Sequence, residues 1–417
     1  MRKALGLGVV LSLLGLSLVL AYATKAPCDD GAWTGQQYTV RCYTDIVPLR
    51  YTEQLQGGRL PYLDPCEDEG VCDEYPVVTM YVMRAAAWAS NAWSAAVLGP
   101  DDGSDGRRGA LETRAFFVAN VLALVAAAVA TTVALRRLVG DRVLYLVAAP
   151  TLVLYAFMNW DLLAVAAATA ALLAAARRRD LAAGALLGLG TAAKLYPALF
   201  VIPLAAQRWR EGDRRGAGRI AAGAAATWAA LNAPFALLAP DGWSRFFTHS
   251  AERVSDWDSL WFIACHLSSG SFGCADTGLV NLGVAATFLA SVAIVWWWKR
   301  RREPDFARWT LVFPVLVLFL VTGKVYSPQF SLWLLPLFAL AFPDVSMFIL
   351  FSLTEIAVFL SRFSYFAAYS GGTGAPLEAF EAAVVARAAV LVGCVVLWVL
   401  RPTNATPTPR PVEATAT

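Results

Sequence analysis

Apolar runs close to the length that crosses a bilayer recur along this chain from end to end, and they leave few folds open to it. Of 417 residues, 58% are hydrophobic and only 16% are charged, more apolar surface than a soluble core of that size can hide. In lipid every backbone N–H and C=O must find its partner within the protein, which restricts spanning segments to helices and closed barrels. The two-residue alternation of a barrel strand is absent. The expected fold class is therefore an all-α polytopic membrane protein. The formal net charge of +3 is small, and the cations stand in short clusters between apolar runs. Such clusters read as topology signals and argue against a nucleic-acid surface.

The clusters Arg136-Arg137 with Arg142, Arg177-Arg178-Arg179, Arg208 to Arg219 and Lys299 to Arg302 mark the cytoplasmic side. Between them, spans are expected near 4–22, 113–135, 142–158, 160–176, 219–239, 281–299, 307–322, 327–342, 345–362 and 381–400. Residues 76–98 mix apolar positions with Arg84, Ser90, Asn91 and Ser94, and counting them as a span would turn every later basic cluster outward. They are expected as an amphipathic helix on the outer interface, with Trp88 and Trp93 at headgroup depth. Residues 181–206 start and end inside yet are too short for two full spans. They read as a hairpin of two short helices meeting near Lys194, sheltered by neighbouring helices or a cavity.

The sum is about twelve helices, two of them half-spans, in one domain of residues 1–400. Large loops, 23–112 and 240–280, face outward. The Thr- and Pro-rich segment 401–417 is expected to be a disordered cytoplasmic tail. Arg2-Lys3 ahead of the first apolar run places the loop after that run outside the cytoplasm. The run itself reads as an uncleaved anchor, with a signal peptide cut near Ala21-Tyr22-Ala23 as the alternative.

Cysteine usage agrees with an oxidising compartment. Cys28, Cys42, Cys66 and Cys72 fall in the first outer loop, Cys265 and Cys274 in the second, and Cys394 stands alone in an apolar run. Three pairs close in sequence suit disulfides, most simply 28–42, 66–72 and 265–274. A zinc site is the competing reading. The spacings match no common finger, and neither His249 nor His266 completes a ligand set, so no metal site is expected.

The unusual polar residues gather on the outer side. Asp45 lies in the first loop, Asn159-Trp160-Asp161 at a helix turn, and Lys194-Leu195-Tyr196-Pro197 at the hairpin tip. His249, Arg253 and Asp256-Trp257-Asp258-Ser259 occupy the second loop, and Lys324 to Gln329 joins two late helices. Ionisable groups at or within a membrane are costly, and those retained are paired or functional. Each has a plainer reading. Asp45 can be a solvated acid like Asp64, Asp68 and Asp73, Lys324 can snorkel to headgroups, and Asp161 can cap its helix. Tyr62 and Tyr75 can be interface anchors rather than sugar platforms.

Gly323-Lys324-Val325-Tyr326-Ser327-Pro328-Gln329-Phe330, followed by Trp333-Leu334-Leu335-Pro336, resembles the K-x-x-S-P-Q-[YF]…W…P signature of glycosyltransferase family 87. Lys194-Leu195-Tyr196-Pro197 is similar to that family's K-x-x-P turn. Glu74-Tyr75-Pro76 is similar to its Y-P-P stretch, with Val77 departing at the second proline. His249-x-x-x-Arg253 followed by Asp258-Ser259-Leu260 resembles a loop pattern ending in E-S-L, here with Asp for Glu. The resemblance implies a GT-C-type membrane enzyme that needs no cofactor and little or no metal. Its donor would be a polyprenyl-phosphate sugar, with mannose expected, and its acceptor an envelope glycolipid or glycan.

The same resemblance assigns roles. Asp45 matches the catalytic base of the first outer loop, taking the acceptor's proton in a single inverting displacement. Lys194, Lys324, Arg253 and His249 are the candidates to meet the donor phosphate as its charge develops. Tyr62, Tyr75, Asp161, Tyr196, Asp258, Ser327 and Gln329 are the candidate substrate contacts. The expected setting is the plasma membrane, multi-pass, with an extracytoplasmic site in a monomer. A lipid or solute transporter competes, because broken helices also frame transport sites, and a non-catalytic envelope scaffold is a third reading.

Overall fold

The computed structural model describes residues 5–67, 72–99, 107–269, 274 and 276–403. Every regular element among them is helical. Among the described residues, six helices are long and apolar enough to cross a membrane: the segments beginning at Leu7, Arg108, Arg214, Thr277, Val345 and Leu377. Four shorter apolar helices, Asp161–Ala176, Asp180–Ala193, Arg308–Thr322 and Pro328–Leu340, lie among them. All four stand at segments that the expected count of about twelve helices includes. The shorter helices stop at polar turns, and the 16 residues of Asp161–Ala176 rise only about 24 Å against a hydrocarbon layer of about 30 Å.

The expected span at 142–158 is corrected. It is broken into Gly140–Val143, Leu144–Val147 and Pro150–Tyr155, and Pro150 opens the last piece because it cannot continue a preceding helix. The segment expected at 327–342 starts as a tight 3₁₀ turn, Pro328–Leu334, before becoming Leu335–Leu340. Residues 180–210 form the short hairpin. Asp180–Ala193 ends at Lys194, the chain turns through Tyr196–Phe200, and Val201–Arg210 returns.

Helix Val77–Val97 is not among the six. It buries Met80, Met83, Ala87, Ser90 and Ser94 at helical spacing and leaves Trp88 and Trp93 exposed. Of the expected tail 401–417, residues 404–417 lie outside the described residues. Its first residues are tied down: Arg401 pairs with Asp344, and the Thr403 hydroxyl donates to Glu303 at 2.7 Å.

The bundle has two chemically distinct ends. Arg108–Val139, 32 residues and about 48 Å long, ends on Arg136-Arg137, and Asp161–Ala176 ends on Arg177. The amino-terminal helix Leu7–Lys25 starts at that basic end, where the Leu5 N–H donates to Asp141 at 3.1 Å. It buries Val10, Leu14, Leu18 and Ala21 in the core. The opposite end carries the long loops.

Small residues set the hairpin. Gly184 and Gly188 stand one turn apart on Asp180–Ala193 and face Arg214–Leu238, the helix beginning at Arg214. A Cβ on Gly184 would lie 2.2 Å from the Ile220 carbonyl oxygen, and one on Gly188 would lie 2.4 Å from that of Ala224. This is the small-xxx-small contact by which membrane helices approach closely. It also fixes where the helix end at Lys194 falls. Gly188→Ala is expected to cost about 1–3 kcal/mol by overpacking, read as a lower thermal midpoint in detergent.

Candidate active site

The first loop is pinned to the bundle before it delivers its acid. The Thr44 hydroxyl donates to the Phe157 carbonyl at 2.8 Å, and the Asp45 N–H to the Met158 carbonyl at 2.8 Å. Helix Ile46–Thr52 comes directly after, and its buried Arg50 reaches Glu112 at 3.0 Å and Thr113 at 2.9 Å on the Arg108–Val139 helix. Disulfides 28–42 and 66–72 close the flanking turns, and 265–274 closes the second loop.

A second strap, residues 72–76, runs alongside. The Arg59 guanidinium grips both oxygens of Asp73, at 3.0 and 2.6 Å. The buried carboxylate of Glu53 accepts from the backbone N–H of Asp73 at 2.6 Å and of Glu74 at 3.1 Å. Burial pushes the Glu53 carboxyl up to about 8, against the pull of those two bonds. Tyr62 donates its hydroxyl to the Tyr75 carbonyl, completing the brace.

These straps and the short helices enclose a cavity of about 490 Å³ at the loop end. Asp45 lines it. Its Oδ1 accepts from the Tyr43 hydroxyl at 2.8 Å, and its Oδ2 from the amides of Asn159 at 3.0 Å and Gln329 at 3.2 Å. Three of about four lone-pair sites are thereby used, leaving one on Oδ1 for an incoming hydroxyl. Among the described residues no cation lies within ion-pair distance of this carboxylate. Burial raises its pKa, while the Tyr43 and Asn159 hydrogen bonds and the charges of Lys194 and Arg362 pull it back. The result is a carboxylate more basic than one in water and held by neutral donors.

Lys194 lines the same cavity from the hairpin tip. Its ammonium sits 3.4 Å from Asp161 Oδ1 and over the rings of Tyr75 at 5.0 Å and Phe330 at 4.9 Å. Asp161 accepts from the Trp333 indole N–H at 2.7 Å, and Trp333 stacks between Tyr196 and Phe330 at 4.3 Å from each. His249 and Arg253, from helix Pro240–Glu252 and its end, line the mouth. Beside them Glu74 is raised by burial and opposed by the His249 and Arg253 charges. The second loop is clipped to the S-P-Q turn, because the Asp256 N–H donates to the Lys324 carbonyl at 2.8 Å and the Ser327 hydroxyl to Asp256 at 3.0 Å.

Of the residues singled out in the sequence, Asp45, Lys194, His249, Arg253, Tyr75, Tyr196, Ser327 and Gln329 line this cavity. Four expected contacts do not. Tyr62 sits behind Tyr75 as a brace, and Asp161 is fully buried behind Lys194. Asp258 turns away to pair with Arg362, and its carbonyl accepts from Arg387 at 2.9 Å. Lys324 donates to the Ala251 carbonyl at 2.9 Å, tying the second loop down. Burial and the nearby Arg253 charge lower the Lys324 pKa.

Tyr43, Glu74, Asn159, Asp256 and Arg362 line the cavity without having been assigned to it from sequence. Arg362 carried a readable signal, a cation set in the apolar run of Val345–Tyr369. An apolar groove of about 760 Å³, lined by Val77, Tyr81, Ala123, Leu231, Pro234 and Phe235, lies beside the cavity. A small third hollow lies between them, bordered by Pro76, Leu195 and Phe246 of the cavity and by Val77 of the groove.

A helical membrane protein with a carboxylate and several cations lining one cavity has the parts of a group-transfer enzyme. Residues 110–323 match glycosyltransferase family 87, slightly more than half of the chain, and the protein belongs to that family. It is a glycosyltransferase. No curated protein matches the chain. The matched stretch holds Asn159, Lys194, His249 and Arg253, whereas Asp45 and Gln329 reach the same cavity from outside it.

The strap carries its own test. Glu53→Ala leaves the buried N–H groups of Asp73 and Glu74 without their acceptor. It is expected to cost about 1–3 kcal/mol, measured as a drop in thermal midpoint together with slower glycosyl transfer.

Proposed function

We propose that the protein is a GT-C-type inverting enzyme that moves a sugar, mannose, from a polyprenyl-phosphate donor to an envelope glycolipid or glycan acceptor. The observation that carries this reading is Asp45, ionisable, without a cation at ion-pair distance among the described residues, and sharing one cavity with Lys194, His249 and Arg253. The acceptor hydroxyl gives its proton to Asp45 as its oxygen bonds to the anomeric carbon. The bond from that carbon to the phosphate oxygen breaks, and the lipid phosphate leaves with the electron pair. One displacement inverts the anomeric centre. Negative charge grows on the departing phosphate, which Lys194, His249, Arg253 and Arg362 are close enough to stabilise.

The apolar groove beside the cavity suits the prenyl chain of such a donor, and the polar mouth suits the acceptor. The basic clusters gather at the far end of the bundle, which supports a plasma-membrane orientation with the site on the extracytoplasmic face. The enzyme acts as a monomer in this reading.

Two measurements test it. In membranes supplied with labelled polyprenyl-phosphate mannose, Asp45→Asn is expected to cut transfer by at least about 10²-fold in protein that still folds. Unchanged turnover removes Asp45 as the base. The base works only when ionised, so the rate falls as pH drops through a pKa raised above the usual carboxylate range. Asn159→Ala removes a donor to the ionised form and is expected to move that acid limb to higher pH. A limb that stays put would detach Asn159 from the titrating group.

A further inference from the structure

A second polar cavity, of about 450 Å³, lies at the basic end of the bundle. It is separate from the first. Helix Asp161–Ala176 starts behind Lys194 and ends with Ala175 and Ala176 in this second wall, about 24 Å away. Arg178, Arg208 and Arg210 line it together with Gln207 and Glu211, and Leu138, Leu204, Ile220 and Leu340 form apolar walls.

The charges are arranged, not scattered. Arg208 is buried, donating Nε to Asp180 at 2.8 Å and Nη1 to Glu211 at 3.2 Å, and Arg178 Nη1 meets the same Glu211 oxygen. The Gln207 amide donates to the other Glu211 oxygen at 2.7 Å. Arg210 Nη1 caps the carbonyls of Asp305 and Phe306. With the Asp305 carboxylate 3.7 Å from Arg210 Nη1, these three guanidinium groups face three carboxylates, Asp180, Glu211 and Asp305, and Arg308, which has no carboxylate within ion-pair distance among the described residues, is the surplus cation. Among the described residues the Nε and Nη2 groups of Arg178 and Arg210 have no partner. Arg308 stands next to the site with a buried Nη1 that also lacks one, and it feels the like charges of Arg210 and Arg300.

We propose that this cavity binds the headgroup of an anionic phospholipid from the leaflet at the basic end, with its phosphate between Arg178 and Arg210. Two planar forks with unused donors match phosphate oxygens, and the residual positive charge favours an anion. The apolar walls distinguish a lipid from a free phosphate, since they give the first carbons of the acyl chains a surface to cover. Basic pockets between helices on the cytoplasmic side are where anionic headgroups are recognised in membrane proteins generally.

The test uses the full-length protein purified in detergent, with thermal unfolding and native mass spectrometry as readouts. Wild-type protein is expected to gain thermal stability from added phosphatidylglycerol but not phosphatidylcholine, and to retain the former in the mass spectrum. Arg178→Ala with Arg210→Ala removes two exposed side chains and is expected to abolish both responses. A charge-matched control, Arg215→Ala with Arg302→Ala, alters exposed cations outside the cavity and is expected to keep them. Equal retention of the two lipids by wild-type protein overturns the proposal without any variant. So does an equal loss in the control, which would mean general surface charge, and so does a full response to glycerol phosphate alone, which would leave the apolar walls without a role.

Discussion

Two hydrogen bonds hold the functional end of this protein together: Thr44 to the Phe157 carbonyl and the Asp45 N–H to the Met158 carbonyl. They join a loop near the amino terminus to a turn more than a hundred residues later, and that turn supplies Asn159 to the Asp45 carboxylate. The same turn opens the helix whose first residue, Asp161, holds Lys194. Gln329 closes the constellation from the S-P-Q turn. Without the clip, the acid would be a solvated loop residue and the amides would have nothing to orient. With it, the carboxylate loses water but keeps three neutral donors, which is how a base is made more basic without being neutralised.

Broken helices arise from the same need. A polar cavity among membrane-spanning helices requires backbone that leaves the helical path, and such backbone is tolerated only where protein or a cavity shelters it. Here the short helices Asp161–Ala176 and Asp180–Ala193 and the tight turns at Tyr196–Phe200 and Pro328–Leu334 supply it. Proline begins or enters several of these turns, and the close glycine contact behind the hairpin leaves room for them. The longer, more uniform helices lie around this broken core. Cavity geometry and helix shortening are therefore one structural solution, not two.

Much of this was legible residue by residue. The hairpin tip at Lys194 could be read because a charge in an apolar run demands a turn or a partner. Asp45, Ser327 and Gln329 were readable as an unusual loop acid and a resemblance to a family motif. The misplacements share a cause. Asp161, Asp258 and Lys324 stand beside residues that do line the cavity, but each is turned onto a partner: Lys194, Arg362 and the Ala251 carbonyl respectively. Sequence proximity cannot say which of two neighbouring polar side chains faces inward when helical and turn geometry alternate over a few residues. Arg362 escaped notice for the complementary reason, because a cation closing an apolar run reads as the end of a span, whereas its helix continues to Tyr369.

The sequence alone determined that this chain is helical and lies in a membrane, since hydropathy and the demand for internal backbone pairing are local properties that each segment carries by itself. It also determined the basic clusters and the stock of acids and cations available for chemistry. Only the tertiary structure decided which of them meet. Asp45, Asn159, Lys194, Arg253 and Gln329 are brought to one cavity by helix crossings and loop clips between distant segments. Those contacts depend on side-chain shape and on hydrogen bonds across hundreds of residues, and no periodicity along the chain encodes them.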